Sequence, residues 1–193
     1  MIAERDGLMD WRVLLIGGAS GSGKTALSYP LARRYGTPIV EVDDLVEALL
    51  VMTTPNQQPA LHYWSTHPEA ADLPADLIVE RQIAVAQALR PAIEAVVANH
   101  VQTDTPVIIE GDYLLPGPLP EHVRAVFVHE PDVDQLVHNY GLREPAAGEQ
   151  RHRAEASARY GEWLAHQAAL AGIPVIAPRP WDTALDRLEA LLD

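Results

Sequence analysis

The chain has no cysteine, which excludes thiol catalysis, cysteine-based zinc sites and a disulfide framework together. It is also poor in positive charge, with 14 lysines and arginines against 27 aspartates and glutamates and a formal charge of −13. Nucleic acid and anionic membrane both demand a basic surface, so neither is expected as a partner. No apolar run approaches a membrane span, and Met1 to Asp10 carries acids where a signal peptide would have an apolar stretch. A cytoplasmic enzyme or binding protein is the expectation. Several chemical signatures are missing as well. Eight histidines are present, but no HExxH or similar spacing joins them, and His62 and His67 are separated within a proline-rich stretch, so a metal centre is not expected. The absence of GxSxG weakens a serine hydrolase, and the absence of NKxD and LSGGQ-like runs disfavours GTPases and transporter ATPases. There is no internal repeat or low-complexity segment, and the 16 prolines mostly mark element boundaries. A chain of 193 residues is expected to form one domain, and at that size it buries about 70% of its unfolded surface.

What is present begins with Gly18-Ala19-Ser20-Gly21-Ser22-Gly23-Lys24-Thr25, which fits GxxxxGK[ST] and follows the apolar run Val13-Leu14-Leu15-Ile16. A strand signal before the loop and a helix signal after it, Ala26 to Tyr35, are the context that a phosphate-binding loop requires. Backbone N–H groups from Gly18, Ser20, Gly21, Ser22 and Gly23 would converge on a triphosphate, with the helix dipole behind them. Lys24 would reach the β- and γ-phosphates of ATP, and the Thr25 hydroxyl would bind Mg2+. The alternative, a glycine-rich turn between strand and helix, leaves the Lys-Thr pair without a task. Gly21 to Ala26 also satisfies the looser dinucleotide fingerprint GxGxxG/A, with an acid further on at Asp43. A dinucleotide site likewise has no task for the lysine and hydroxyl.

Five runs read as strands: Val13 to Gly17, Ile39 to Val42, Val107 to Glu110, Val123 to His129 and Ile173 to Ala177. Helical patterns between most of them imply an α/β fold, a parallel sheet covered by helices on both faces. Pro30 is expected to kink or shorten the first helix. Pro91 divides the long pattern from Pro74 to His100 into a bent helix or two stacked ones. A further helix is expected from about His152 to Ala171, and a last one from Asp182 to Leu192 with Asp182 as N-cap.

Phosphoryl transfer asks for positioning, neutralisation of charge and a group that handles the nucleophile's proton. Asp43 and Asp44 end the second strand, where one carboxylate, Asp43 in preference, would act as base toward a substrate hydroxyl; the other reading is an N-cap of the next helix. Val107-Ile108-Ile109-Glu110-Gly111-Asp112 resembles a Walker B strand, with Glu110 on the magnesium side and Asp112 placed to face the acceptor. Segment 141–153 is polar, glycine-flanked and locally basic, which suits a lid carrying Arg143, Arg151 and Arg153. Each of these arginines also reads as a solvated surface charge. Segment 51–73 is polar, proline-broken and aromatic. It reads either as an acceptor-binding insertion presenting Tyr63, or as a hairpin that packs Tyr63 and Trp64 into the core. The stiff loop from Pro178 to Thr183 stands where related folds contact the base, with Arg179 as its polar group; Trp181 has the alternative of plugging the core.

The stations Gly17 to Thr25, Val42-Asp43-Asp44-Leu45-Val46-Glu47-Ala48 and Ile108-Ile109-Glu110-Gly111 are similar in order and spacing to the chloramphenicol phosphotransferase and 2-phosphoglycerate kinase-like groups. That resemblance implies a P-loop NTPase fold with a five-stranded parallel sheet in the order 2-3-1-4-5, ATP with Mg2+, a helical lid, and Asp43 as the base. It stops at 51–73, which does not match an antibiotic pocket. The expected activity is transfer of the γ-phosphoryl group of ATP to a hydroxyl of a small molecule. Only Arg81 and Arg90 lie between the second and third strands, too few to grip an acceptor phosphate, so a neutral hydroxylated acceptor fits better. A nucleotide-binding regulatory ATPase without such an acceptor is the alternative.

Overall fold

A computed structural model describes residues 10–192; most of the N-terminal stretch read above, residues 1–9, lies outside the described residues. The strands are β1 (Val13–Gly17), β2 (Ile39–Glu41), β3 (Val107–Gly111), β4 (Val123–Val128) and β5 (Val175–Ile176). They form one parallel sheet in the order β2-β3-β1-β4-β5. The helices are α1 (Lys24–Tyr35), α2 (Val42–Met52), α3 (Tyr63–Thr66), α4 (Ala75–Gln102), α5 (Val133–Arg143), α6 (Arg151–Leu170) and α7 (Ala184–Glu189). None is long and apolar enough to cross a membrane.

Successive strand residues point to opposite faces, and the sheet separates two cores accordingly. Leu14, Ile16, Ile108, Val126 and Val128 pack with Leu27 and Leu31 of α1 and Leu188 of α7. Val13, Val107, Ile109, Ala125 and Phe127 pack on the other face with Val85, Leu89 and Ile93 of α4 and Tyr160 and Leu164 of α6. The strands feeding the cleft are therefore apolar on both sides, which is why β1 and β3 read as continuous hydrophobic runs.

Several local expectations are corrected. Pro30 does not end α1 early and Pro91 does not divide α4 into two stacked helices, because each helix runs unbroken through its proline. The carbonyls left without a partner belong to Ala26 and Gln87, four residues earlier, and both residues are exposed to water. Strand β2 stops at Glu41 because Val42 turns into α2 with its side chain packed under Gly111, where a Cβ on the glycine would lie 2.4 Å from Val42 Cβ. Asp182 caps nothing; it sits in a 3-10 turn, Trp181–Thr183, and Thr183 is the residue at the N-cap of α7. Arg187 sets this start by donating to the Ala177 and Pro180 carbonyls at 2.8 and 3.1 Å. Segment 141–153 contains no helix of its own. It is the end of α5, a 3-10 turn at Pro145–Ala147 and the first residues of α6.

Candidate active site

The loop 18–23 leaves β1 and enters α1 at Lys24. Gly23 has φ 94°, and a Cβ there would come within 2.3 Å of the Trp181 ring, so both backbone and space require glycine. Gly23→Ala is expected to lower stability by about 1–3 kcal/mol, read by urea unfolding; an unchanged midpoint would mean that the indole moves aside at no cost. Helix α5 braces the loop from outside. Asn139 Nδ2 donates to the Gly21 carbonyl at 2.8 Å, and the Tyr140 hydroxyl donates to the Ser20 carbonyl at 3.1 Å. Ser22 is buried with its Oγ unpartnered.

Lys24, the chain's one lysine, is buried. Its Nζ donates to the Ala19 carbonyl at 2.9 Å and pairs with Asp112 Oδ1 at 2.5 Å. Glu110, also buried, accepts from Ser28 Oγ at 2.9 Å and from Thr25 Oγ1 at 3.4 Å. Burial pushes its pKa up, against the Lys24 charge and these two hydroxyls, while Asp112 pushes it further up. A buried carboxylate whose ionised form lacks solvent is a group that a divalent cation would stabilise. Among the described residues no three His, Asp or Glu side chains cluster as a metal cage. Mg2+ in nucleotide sites takes one or two protein ligands, with phosphate and water supplying the rest, and Thr25 with Glu110 fits that demand.

Asp43 stands in the first turn of α2 and lines the same cleft as Gly23, Lys24, Thr25, Glu41, Glu110, Asp112 and Arg143. Its side chain is exposed, as is that of Asp44, yet the crowding of the cleft around it raises its pKa by desolvation and the Asp112 carboxylate adds to the rise, with Lys24 and Arg143 opposing. Asp44 is solvent-exposed and does not line the cleft. Neither aspartate is the N-cap, which is Glu41 with no side-chain capping bond. Asp112 is tied to Lys24 by its side chain, and its carbonyl accepts from the Tyr160 hydroxyl at 3.1 Å.

The arginines separate. Arg143 lines the cleft, with Nη2 donating to Ser20 Oγ at 3.4 Å and its guanidinium 5.3 Å from the Tyr140 ring centroid. Arg151 lies outside it, paired with Asp134 at 2.8 Å and Glu149 at 3.2 Å. Arg153 covers the same Tyr140 ring at 4.3 Å and binds Glu144 at 2.9 Å, so it braces α5 against α6. Arg179 also turns away from the cleft. It grips buried Glu130 in a bidentate pair at 2.7 and 2.8 Å and reaches Asp132 at 3.3 Å. The loop's contribution to the cleft wall is Trp181, exposed to solvent and not plugging the core.

Tyr63 is not in this cleft. Its ring stacks on His67 and lies under the Arg81 guanidinium at 4.8 Å, lining a separate shallow pocket with Pro59 and Ala84. Tyr113 follows Asp112 directly, and burial, with help from Asp112 and Asp43 and against the Trp64 side chain, pushes its phenol up to about 12. Sequence reasoning missed Tyr113, Asn139 and Tyr140. The only signal for Tyr113 was its place directly after Asp112; nothing local marked the other two.

No family model and no curated protein matches the chain. Solved structures do. Shikimate kinase from Acinetobacter baumannii aligns with a TM-score of 0.54 at 12% identity, covering 97% of this chain and 96% of that one. The fold is that of P-loop NTPases. A gluconokinase from Sinorhizobium meliloti aligns at TM-score 0.50 and 15% identity over 95% of this chain and 92% of its own. A deoxyadenosine kinase from M. mycoides gives 0.50 and 11% over 92% and 97%. At such identities the likeness is one of fold. These P-loop neighbours are small-molecule kinases, and they do not single out the chloramphenicol phosphotransferase group.

Proposed function

We propose that the protein is a kinase that transfers the γ-phosphoryl group of ATP, with Mg2+, to a hydroxyl of a small molecule. One observation carries this reading: Asp43, with its raised pKa, lines the cleft that also holds Lys24, Glu110 and the phosphate loop. A carboxylate of raised basicity beside the loop suits a general base toward a hydroxyl. In the proposed reaction the acceptor oxygen forms a bond to the γ-phosphorus as the bond to the bridging β,γ oxygen breaks. The acceptor's proton passes to Asp43. Lys24 and Arg143 meet charge on the phosphoryl oxygens, and Thr25 and Glu110 would hold Mg2+, which would supply further positive charge there. The fold neighbours are kinases of small molecules by their names, which supports the class of acceptor.

The test is nucleotide consumption with and without a library of hydroxylated metabolites and antibiotics. Stimulation by at least one acceptor is expected; steady basal hydrolysis that no compound raises would return the protein to the regulatory-ATPase reading. Glu110→Gln is expected to raise the Mg2+ concentration for half-maximal turnover about tenfold, the effect expected for a supporting metal group. An unchanged magnesium curve would take the metal role away from Glu110.

A further inference from the structure

A cavity of about 520 Å³ lies on the sheet face under α4, between the C-terminal half of that helix and residues 113–120. Its origin is in the sequence. The connection from β3 to β4 contains Pro116, Pro118 and Pro120, so it cannot form a covering helix and instead crosses as an extended strap. The walls are apolar: Leu15 of the sheet, Ile93 and Val97 of α4, and Leu114 and Leu115 of the strap. The backbone around them offers little polarity either, since α4 satisfies its own N–H groups and the strap's prolines have none. The volume falls within the range of small-molecule sites.

Polar side chains line the cavity at Gln102 and at the pair Arg90 and Glu94. The contact within the pair is weak, Nε to Oε1 at 3.7 Å, beyond hydrogen-bond distance. Arg90 Nη2 lies against Gly117 of the strap, 3.3 Å from where a Cβ would stand. Among the described residues its two terminal nitrogens have no hydrogen-bond partner in the protein. A guanidinium fork free at its outer end, beside an apolar hollow, matches a planar carboxylate on an apolar body.

We propose that this cavity binds a small apolar carboxylate, with its body against Leu15, Ile93, Val97 and Leu114 and its carboxylate on Arg90. The site is distinct from the phosphate cleft; Tyr113 alone reaches both neighbourhoods, with its ring lining the cavity and its phenol within the influence of Asp43 and Asp112.

The test uses the full chain with 1-anilinonaphthalene-8-sulfonate, an apolar ring system with one anionic group, displaced by octanoate or octanol. One probe per chain is expected, and octanoate should displace it at about tenfold lower concentration than octanol, the effect of one charge-assisted hydrogen bond. Arg90→Met should erase that tenfold preference. Ala86→Phe, which fills the cavity from α4, and Ala98→Trp, which closes it from an exposed position and so keeps the protein folded, should each remove probe binding. The proposal is overturned if octanol competes as well as octanoate, if the probe still binds both filling variants, or if ATP with Mg2+ displaces it, since the last result would put the probe in the phosphate cleft.

Discussion

Lys24→Ala lowers phosphoryl transfer by about 10³, the scale set by losing one pre-positioned cationic or hydrogen-bond donor from a transition state. The residue is buried, and its Nζ is held between the Ala19 carbonyl and Asp112, so it presents one fixed charge to any phosphate in the loop. Its removal has a second consequence. Lys24 is the largest opposing charge holding down the pKa values of both Asp43 and Glu110. Without it three carboxyls, Asp43, Glu110 and Asp112, share one cleft with no buried cation, and both pKa values rise further. The variant is therefore expected to bind ATP weakly and to lose activity on the acid side at a higher pH than the parent. Fluorescence titration with an ATP analogue and a pH–rate profile check both; unchanged affinity and turnover would mean that the glycine-rich segment is only a turn.

Asp43→Asn abolishes transfer, by about 10²–10⁴, the usual worth of a positioned general base, while nucleotide affinity stays within a few fold. The direction of the pKa shift makes a further demand. Asp43 is pushed above the ordinary carboxyl range, by burial first and by Asp112 second. A base works only when ionised, so the rate of the parent enzyme falls as pH drops through this raised value and is retained above it. The acid limb should then lie at a higher pH than an unperturbed aspartate gives, and the residual activity of Asp43→Asn should lack it. Full activity in Asp43→Asn would leave the carboxylate with no part in the chemistry.

The phosphate loop was legible because its requirements are local: glycines at fixed offsets, a lysine and a hydroxyl, a strand before and a helix after. The parallel sheet followed from strands alternating with helices, and its order was an implication of the family resemblance alone. What was not legible depends on long-range packing. Val42 has strand propensity, yet it starts α2 because Gly111 leaves room for its side chain; that choice puts Asp43, and not Asp44, on the cleft wall. Arg151 and Arg179 looked like nucleotide ligands by their placement in basic or stiff segments. Arg151 pairs with its near neighbour Glu149 and with Asp134, and Arg179 pairs with Glu130 and Asp132; the contacts with Asp134, Glu130 and Asp132 join residues distant in sequence that only the fold brings together. Tyr63 was distinguished from Trp64 by nothing in the local sequence, and it is Trp64 that meets Tyr113. Asn139 and Tyr140 brace a loop more than a hundred residues earlier in the chain, a relation no spacing rule expresses.

In the proposed reaction the γ-phosphoryl group leaves ATP for a small-molecule hydroxyl and not for water. The most direct measurement is the fate of that group: incubation with γ-labelled ATP, Mg2+ and a pool of small hydroxylated compounds, followed by separation of labelled products. Label is expected in an organic phosphate ester, formed by the parent chain and absent with Asp43→Asn. Label appearing only as inorganic phosphate, at the same rate in both proteins, would make the protein a hydrolase in which Asp43 has no catalytic part.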